Sequence, residues 1–255
     1  MQPDINLLGI SLKTFGILFA LGFLASGSLI GRRLKEQGKP VDWAYEIVFA
    51  ALIGGLVGSR LYYLVENYDQ VKNDLVGGIF GGAGLVWYGG AIGGAIAVLL
   101  WAHRRGMLNI SLLDLCAAPL ALGYAIGRIG CQISGDGDYG KPWNGPWAMA
   151  YPKGTVPTTV KVHPTPIYET LAMGLVAYGL WALRDRLRPG AIFALYLVGA
   201  GIERFLVEFL RRNQESIAGL TTPQLESVGI ALIGGAWLLW LARRAGGLRP
   251  VPSPV

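Results

Sequence analysis

Long apolar runs recur along the whole chain, and they restrict the possible folds more than any other feature of the sequence. A run of about 20 apolar residues is long enough to cross the hydrocarbon layer of a membrane as one helix. The sequence is 53% hydrophobic and only 15% charged, whereas soluble domains carry about 25% charged residues. We therefore predict an all-α, polytopic integral membrane protein whose residues 1–255 form a single transmembrane domain. About seven spans are expected, at residues 12–31, 44–64, 84–102, 112–131, 166–183, 190–210 and 223–242.

Basic residues are concentrated in the segments that follow the first, third, fifth and seventh runs. Lysine and arginine are enriched in cytoplasmic loops, so these segments are expected on the cytoplasmic side. The N-terminus is then outside, the C-terminus is cytoplasmic, and residues 132–164 form a small extracytoplasmic loop, here called the cap loop. This topology accounts for the net charge of +6, and we expect no nucleic-acid partner. The basic residues concerned are Arg32, Arg33, Lys35, Lys39, Arg104, Arg105, Arg184, Arg186, Arg188, Arg243, Arg244 and Arg249.

Three of the runs carry an arginine in the half that this orientation places near the outer face, namely Arg60, Arg128 and Arg204. An arginine within a membrane helix costs about 2.5–3.5 kcal/mol on insertion scales and is by default a functional hypothesis. A guanidinium group binds phosphate through two parallel hydrogen bonds, and the abundant phosphate at this level belongs to phospholipids. We therefore predict a phospholipid site, with snorkelling of single arginines to lipid headgroups as the alternative.

The sixth run adds more charge, because Arg204, Glu208 and Arg211 are spaced to share one face of a helix. Glu208 is predicted to pair with either arginine, and it either orients Arg204 toward a ligand or locks the packing of the helices. Glu169, near the start of the fifth run, also needs a cationic partner at that depth. We expect this partner among the arginines of the second, fourth and sixth runs.

Glycines are dense in the second and third runs, in GGLVGSR at residues 54–60 and in WYGGAIGG at residues 87–94. Small residues allow two membrane helices to approach closely, so most of these glycines are expected to serve packing. Tyr88 directly precedes Gly89 and Gly90. It is interpreted either as an interfacial residue or as a phenol within the site.

No metal or cofactor site is expected from the remaining chemistry of the sequence. Cys116 and Cys131 lie in one run without a CxxC pair, and His103 and His163 have no metal-ligating companion. Cys131 is interpreted as a packing residue rather than a nucleophile, because no histidine lies beside it in the sequence. A reacting Cys131 would require a double-displacement mechanism.

Five motifs occur in the same order as in a known family of membrane enzymes. They are GGLVGSRLYY at 54–63, GLVWYGG at 84–90, GRIG at 127–130, HPTPIYE at 163–169 and ERFLVEFLR at 203–211. On these motifs the sequence resembles the bacterial prolipoprotein diacylglyceryl transferase family over nearly its whole length. Their combination and order make the resemblance specific.

The resemblance implies a lipid-transfer activity in the bacterial inner membrane. That family moves the diacylglyceryl group of phosphatidylglycerol to the thiol of a lipobox cysteine in a preprolipoprotein signal peptide, and glycerol phosphate leaves. The implied partners are phosphatidylglycerol, the signal peptide and membrane lipids. Arg128 corresponds to the essential arginine of the family's signature loop, which contacts the phospholipid. Together with the patterns above, the catalytic candidates are Arg128, Arg204, Tyr88, Glu208 and Asp136. The substrate-binding candidates are Arg128, Arg60, Arg204, Arg211, Glu169, Gly89 and Gly90.

Four polar positions of the family differ in this chain. The family commonly has histidine, asparagine, glutamate and tyrosine where this sequence has Tyr88, Cys131, Asp136 and Phe15. The base that deprotonates the acceptor thiol is therefore left open among several residues, and the nature of the acceptor is left open with it. The candidate bases are Tyr88, Asp136, Asp138, Glu169 and His163.

Two other functions are compatible with the sequence. One is a related membrane transferase with the same phospholipid site and a different acceptor, which the four altered positions would explain. The other is a non-enzymatic transporter of an anion or a lipid. A transporter would more often show internal repeats and charges at the middle of the membrane, and the sequence shows neither.

Overall fold

In the part of the chain that it describes, the computed structural model has seven long helices, one short helix and two small antiparallel hairpins. It describes residues 1–7, 10–72, 86–217, 219–244 and 247–249. The helices are α1 (Thr14–Glu36), α2 (Trp43–Glu66), α3 (Tyr68–Val71), α4 (Trp87–Arg104), α5 (Ile110–Ser134), α6 (Thr165–Leu183), α7 (Ala191–Glu208) and α8 (Thr222–Arg244). The strands are β1 (Asp4–Leu7), β2 (Ile10–Lys13), β3 (Met149–Tyr151) and β4 (Thr158–Val162), with β1 paired to β2 and β3 to β4.

Each of the seven predicted runs coincides with one long helix, so the all-α class is confirmed for the body of the structure. Among the described helices, four are long and apolar enough to cross a membrane, namely α1, α2, α5 and α8. Large apolar side chains point outward, including Leu24, Leu175 and Leu232, each more than 60% exposed. Such an exterior is typical of a membrane protein. The first residues of the third predicted run, 84 and 85, lie outside the described residues.

The two hairpins are not among the predicted elements. β1 and β2 pair Asp4 with Lys13 at the open end, where the two side chains also form an ion pair. β3 and β4 lie within the cap loop and pair Met149 with Val162. Strands this short carry too little alternation of polar and apolar residues to be distinguished from loops in the sequence.

The helices divide into two compact units. Unit 1 comprises Met1–Leu29 and Leu113–Val255, and unit 2 comprises Ile30–Leu112. In unit 1, small side chains of α5 pack against α6 and α7 in a buried core that consists of Ala117, Ala118, Ala121, Ala125, Met173, Ala177, Leu180 and Ile192. The Asp114 carboxylate accepts the Gly190 and Phe193 N–H groups at 2.6 and 2.8 Å, which satisfies donors at the start of α7.

Unit 2 is built around close contact between α2 and α4, as the glycine pattern predicts. A Cβ atom added at Gly58 would lie 2.8 Å from the Cα of Gly93, and one added at Gly89 would overlap the backbone of Gly58. Only hydrogen atoms at these positions allow the two backbones to approach so closely. The Ser59 hydroxyl also donates to the carbonyl of Val86 at 2.8 Å.

The cap loop is folded rather than extended. Tyr139 stacks on Tyr151 at a centroid distance of 4.7 Å, and the two form a small buried core with Val162. The Gly140 N–H donates to the His163 carbonyl at 2.8 Å, which ties the beginning of the loop to its end. Gly137 has a φ of 101°, a conformation that other residues rarely adopt, and this allows the chain to turn sharply between Asp136 and Asp138.

Candidate active site

A group of buried charges lies in unit 1, where α5, α6 and α7 end or begin beside the cap loop. Arg128 comes from the second half of α5, Glu169 from the start of α6, and Arg204 and Glu208 from the end of α7. Asp138 of the cap loop and Arg211, just after α7, complete the arginine–carboxylate network, as we call these six residues. Five members of the network are predicted site residues, namely Arg128, Glu169, Arg204, Glu208 and Arg211, and Glu169 is paired with two of its expected partners, Arg128 and Arg204.

Four members of the network form a closed ring of alternating charge. Arg128 forms ion pairs with both Asp138 and Glu169. Arg211 contacts the same two carboxylates, with Nη2 at 2.6 Å from Asp138 Oδ1 and Nη1 at 3.1 Å from Glu169 Oε1. Each guanidinium therefore bridges two carboxylates, and each carboxylate bridges two guanidiniums. Charged hydrogen bonds of this kind are stronger than neutral ones.

The charged face of α7 has the pairing that its spacing predicts. Arg204 Nη2 lies 3.0 Å from Glu208 Oε2, and Arg211 Nε lies 3.8 Å from the same oxygen. Arg204 Nη1 is 3.8 Å from Glu169 Oε1. This Nη1 atom is buried and makes no hydrogen bond within the described part of the chain. Arg204 therefore retains a donor that can serve a ligand.

The second oxygen of Glu208 is held from the segment that follows α7. Glu208 Oε1 accepts hydrogen bonds from Asn213 Nδ2 at 2.5 Å and from the Thr221 hydroxyl at 2.9 Å. Thr221 directly precedes α8. Glu208, at 2% exposure, is thus held in a fixed position beside Arg204, and the sequence analysis did not identify Asn213 or Thr221.

Two further residues border the network and were not singled out in the sequence. The Tyr124 hydroxyl donates to Glu169 Oε2 at 3.3 Å, and the Arg128 guanidinium lies over the Tyr124 ring at 4.9 Å from its centroid. The i to i+4 spacing of Tyr124 and Arg128 is the signal that could have indicated this contact. Glu203 is buried, and its Oε1 has no hydrogen-bond partner among the described residues.

The pKa values of the two aspartates of the cap loop, Asp136 and Asp138, are shifted in opposite directions. Burial alone would raise the pKa of Asp138, but the adjacent Arg128 and Arg211 outweigh this effect and hold its pKa below the usual value. Burial likewise would lower the pKa of Arg211, but Asp138 and Glu169 raise it. The pKa of Asp136 is raised, mainly by burial. Asp138 is therefore an ionised counter-ion, whereas Asp136 holds its proton more readily.

Asp136, Asp138 and Cys131 lie close together at the end of α5. One ligand atom from each of the three lies within 4.8 Å of the others, a grouping that the sequence analysis did not foresee. The Asp136 carboxylate accepts the Asp138 N–H at 3.2 Å, and Arg128 Nη1 lies 3.7 Å from Cys131 Sγ. Because Arg128 contacts both Cys131 and Asp138, a cation already balances these groups.

Four of the predicted site residues belong to unit 2, namely Arg60, Tyr88, Gly89 and Gly90. The Arg60 guanidinium lies 5.2 Å from the centroid of the Tyr63 ring. Tyr88 is 44% exposed. Their roles in lipid binding and catalysis stay predictions, as do the roles of the other site residues.

His163, another candidate base, lies at the end of the cap loop in an aromatic cluster. Its ring stacks on Trp143 with centroids 4.3 Å apart, and Nδ1 is 3.3 Å from the Tyr168 hydroxyl. Burial lowers the pKa of His163. The Trp147 indole N–H donates to the same Tyr168 hydroxyl at 2.7 Å, so Tyr168 connects Trp147 to His163.

These features define a class: a helical membrane protein with a buried arginine–carboxylate network beside a folded cap loop. The sequence pattern of the family described as prolipoprotein diacylglyceryl transferase matches residues 4–240, and the chain belongs to this family.

Curated relatives agree with this assignment and cover nearly the whole chain. The chain is 32% identical over 244 residues to the phosphatidylglycerol–prolipoprotein diacylglyceryl transferase of Clostridium tetani, covering 92% of this chain and 95% of the relative. It is 30% identical over 247 residues to the protein of the same name from Gloeobacter violaceus, covering 93% and 91%. The protein of that name from Finegoldia magna is 33% identical over 233 residues, covering 90% and 91%.

Proposed function

We propose that this chain transfers the diacylglyceryl group of phosphatidylglycerol to the lipobox cysteine thiol of a preprolipoprotein and releases glycerol phosphate. The observation that carries the proposal is the buried arginine–carboxylate network in a chain that matches the family over residues 4–240. The protein acts as a multi-pass protein of the bacterial inner membrane. Its seven long helices cross the membrane, with the N-terminus and the cap loop outside and the C-terminus in the cytoplasm.

The reaction replaces one bond at the glyceryl carbon of the lipid. The thiolate of the acceptor attacks this carbon, the bond from the carbon to the phosphate oxygen breaks, and the electron pair leaves with glycerol phosphate. Negative charge therefore grows on the phosphate oxygen in the transition state. Fixed guanidinium groups of Arg128, Arg204 and Arg211 stabilise that charge without reorganisation. Arg204 Nη1, which makes no hydrogen bond among the described residues, supplies a donor for the phosphate.

Asp136 is the best-placed base among the carboxylates of the cap loop. A thiol reacts as its thiolate, so a general base must accept the thiol proton. A carboxylate with a raised pKa is a stronger base than an ordinary carboxylate. Asp138 and Glu169 are each paired with two arginines of the ring, so their carboxylates already serve as counter-ions. The pKa of Asp136 is instead raised, mainly by burial, and no arginine forms an ion pair with it among the described residues; its carboxylate accepts the Asp138 backbone N–H and lies beside the Cys131 thiol.

A transferase with the same donor and a different acceptor is the second candidate. Tyr88, Cys131, Asp136 and Phe15 depart from the residues common in the family, and Cys131 and Asp136 lie next to Arg128. Binding of the lipid phosphate by the arginines is compatible with either a thiol or a hydroxyl group as the attacking nucleophile. The acceptor is therefore the part of the reaction that requires a direct test.

The experiment uses the purified full-length chain in detergent–lipid micelles that contain phosphatidylglycerol. It is incubated with a lipobox peptide, with the same peptide carrying serine in place of cysteine, or with a non-peptide thiol. We expect mass spectrometry to show the diacylglyceryl adduct on the cysteine peptide only, together with release of glycerol phosphate. Glycerol phosphate released without a peptide adduct would support the second candidate. No release under any condition would contradict both.

A further inference from the structure

The Asp138 carboxylate contacts two arginines of the ring in the way that a bound anion would. Its Oδ2 contacts Arg128 and its Oδ1 lies 2.6 Å from Arg211 Nη2. A carboxylate that bridges two guanidiniums through separate oxygens makes the contacts that a phosphodiester group would make in the same place. A lipid phosphate and Asp138 cannot both occupy this position between Arg128 and Arg211.

The two carboxylates of the ring differ in how firmly they are held. The Glu169 side chain is 0% exposed and also contacts Arg204 and Tyr124. The Asp138 side chain is 33% exposed, and the described contacts of its carboxylate are those with Arg128 and Arg211. Glu169 is therefore the permanent counter-ion, and Asp138 is the member of the ring that can leave.

The backbone of Asp138 is anchored independently of its carboxylate. Its carbonyl accepts the Thr165 hydroxyl at 2.6 Å, and its N–H donates to Asp136 at 3.2 Å. The neighbouring Gly137 carbonyl accepts Arg212 Nη2 at 3.2 Å. The carboxylate can consequently rotate away from the arginines about its side-chain torsions while the loop stays in place.

We propose that the Asp138 carboxylate occupies the phosphate position between Arg128 and Arg211 in the unliganded protein and is displaced when the phospholipid binds. The identity of the lipid rests on the proposed function. With Asp138 in place the ring is formally neutral, since two guanidiniums face two carboxylates. Displacement leaves one positive charge, which a phosphodiester of one negative charge neutralises. A neutral lipid such as diacylglycerol cannot make this exchange.

Removing the charge of Asp138 should therefore strengthen lipid binding. When only a fraction of the protein is in the competent state, the apparent Kd equals the intrinsic Kd divided by that fraction. If Asp138 is out of the ring in about one tenth of the molecules, Asp138→Asn lowers the apparent Kd about tenfold. A carboxylate needed only to hold the arginines in place would give the opposite result, because its loss would misplace the phosphate ligands.

The test measures phosphatidylglycerol binding to the full-length protein in neutral detergent micelles by native mass spectrometry. The variants are Asp138→Asn, Asp138→Ser, Asp138→Glu and, as the matched control, Asp69→Asn, which removes a carboxylate from an exposed side chain outside the network. We expect the Asn and Ser variants to bind about tenfold more tightly. The Glu variant and the control should change affinity far less, and diacylglycerol should bind equally to all.

Unchanged or weaker binding by the Asn and Ser variants would overturn the proposal. The same holds if both fail to fold while the Glu variant folds, because the carboxylate would then be a structural requirement. Binding is measured without an acceptor, so the two proposals fail separately. Tighter binding without transfer to a lipobox peptide rejects the proposed function only, and transfer by wild type without tighter binding in Asp138→Asn rejects the role of Asp138 only.

Discussion

The two units hold their helices together by opposite means. In unit 2, α2 and α4 are brought together by the absence of side chains, since Gly58, Gly89 and Gly93 leave room for direct backbone contact. In unit 1, the ends of α5, α6 and α7 are joined by long charged side chains centred on Glu169. The first arrangement contributes van der Waals packing, whereas the second places charge in a buried region at a high desolvation cost.

The glycine contact of unit 2 is therefore interpreted as structural, whereas the charged contact of unit 1 is the candidate catalytic feature. Removing one partner from a buried ion pair leaves an uncompensated charge, so apolar packing is the safer way to join helices. Unit 1 has both, because an alanine-rich core already joins α5 to α6 and α7. Charges that the packing does not need are consistent with the proposed binding of a lipid phosphate.

The largest effect is expected at Glu169, the most buried member of the network. Glu169→Gln should lower the free energy of unfolding by about 3–5 kcal/mol, because three arginines lose a shared counter-ion. Urea-induced or thermal unfolding in mixed micelles measures the change. Glu215→Gln, at an exposed position, is the control and should change stability by less than about 0.5 kcal/mol. A stability of Glu169→Gln equal to that of the control would mean that the network is not a buried ionic unit.

Adjacent arginines provide a comparison for catalysis. Arg211 is in the ring, with a side chain that is 11% exposed, whereas the neighbouring Arg212 lies over the Tyr139 ring at 4.3 Å from its centroid. Arg211→Ala should reduce the transfer rate about 100-fold or more, as for the loss of one donor to a developing anion. Arg212→Ala should retain most of the rate. The initial rate of lipobox-peptide modification is the measurement, and equal losses in both variants would contradict this placement of the phosphate.

A smaller effect is expected at the glycine contact of unit 2. A Cβ added at Gly93 would lie 2.8 Å from the Cα of Gly58, and a backbone atom cannot move aside as a side-chain tip can. Gly93→Ala should therefore destabilise the protein by about 1–3 kcal/mol through overpacking. Gly179→Ala, where the added Cβ meets nothing within 4 Å, should be neutral or slightly stabilising. Unfolding of the two variants side by side distinguishes close packing from a general intolerance of alanine.

The smallest effect concerns the acid stability of the cap loop. The pKa of Asp138 is lowered in the folded protein, so its contribution to stability is present above its unfolded pKa of about 3.9 and is lost as the pH falls through its folded pKa. The raised pKa of Asp136 has the opposite sign, since its ionisation costs stability as the pH rises from about 3.9. Between about pH 3 and 5, Asp138→Asn should flatten the rise of unfolding temperature with pH, and Asp136→Asn should steepen it.

Local patterns were sufficient to predict the helices and part of the network. The seven runs and the pairing of Arg204 with Glu208 on α7 follow from hydrophobic length and helical spacing, which are properties of contiguous sequence. A charge within an apolar run likewise indicated that Glu169 required a cation. The structure pairs it with Arg128 and Arg204, as expected.

The closure of the ring was not predictable in the same way. Asp138 contacts Arg211 across 73 positions of sequence, and its orientation depends on how the cap loop folds over its own tyrosine core. Thr221 binds Glu208 for the same tertiary reason. Glu203 precedes Arg204 in the sequence and is buried, yet nothing in its local spacing distinguishes it from the solvated glutamates of other helices.

Complementation of a bacterium depleted of its own preprolipoprotein diacylglyceryl transferase tests whether this chain performs the transfer. The wild-type chain, Arg128→Ala and Arg212→Ala are expressed at equal membrane levels, and mass spectrometry follows the lipobox cysteine of a reporter lipoprotein. We expect the wild type and Arg212→Ala to restore the diacylglyceryl modification and Arg128→Ala to lose it. Absence of the modification with a well-inserted wild-type chain, or full rescue by Arg128→Ala, would contradict the proposal that the buried arginines carry out this transfer.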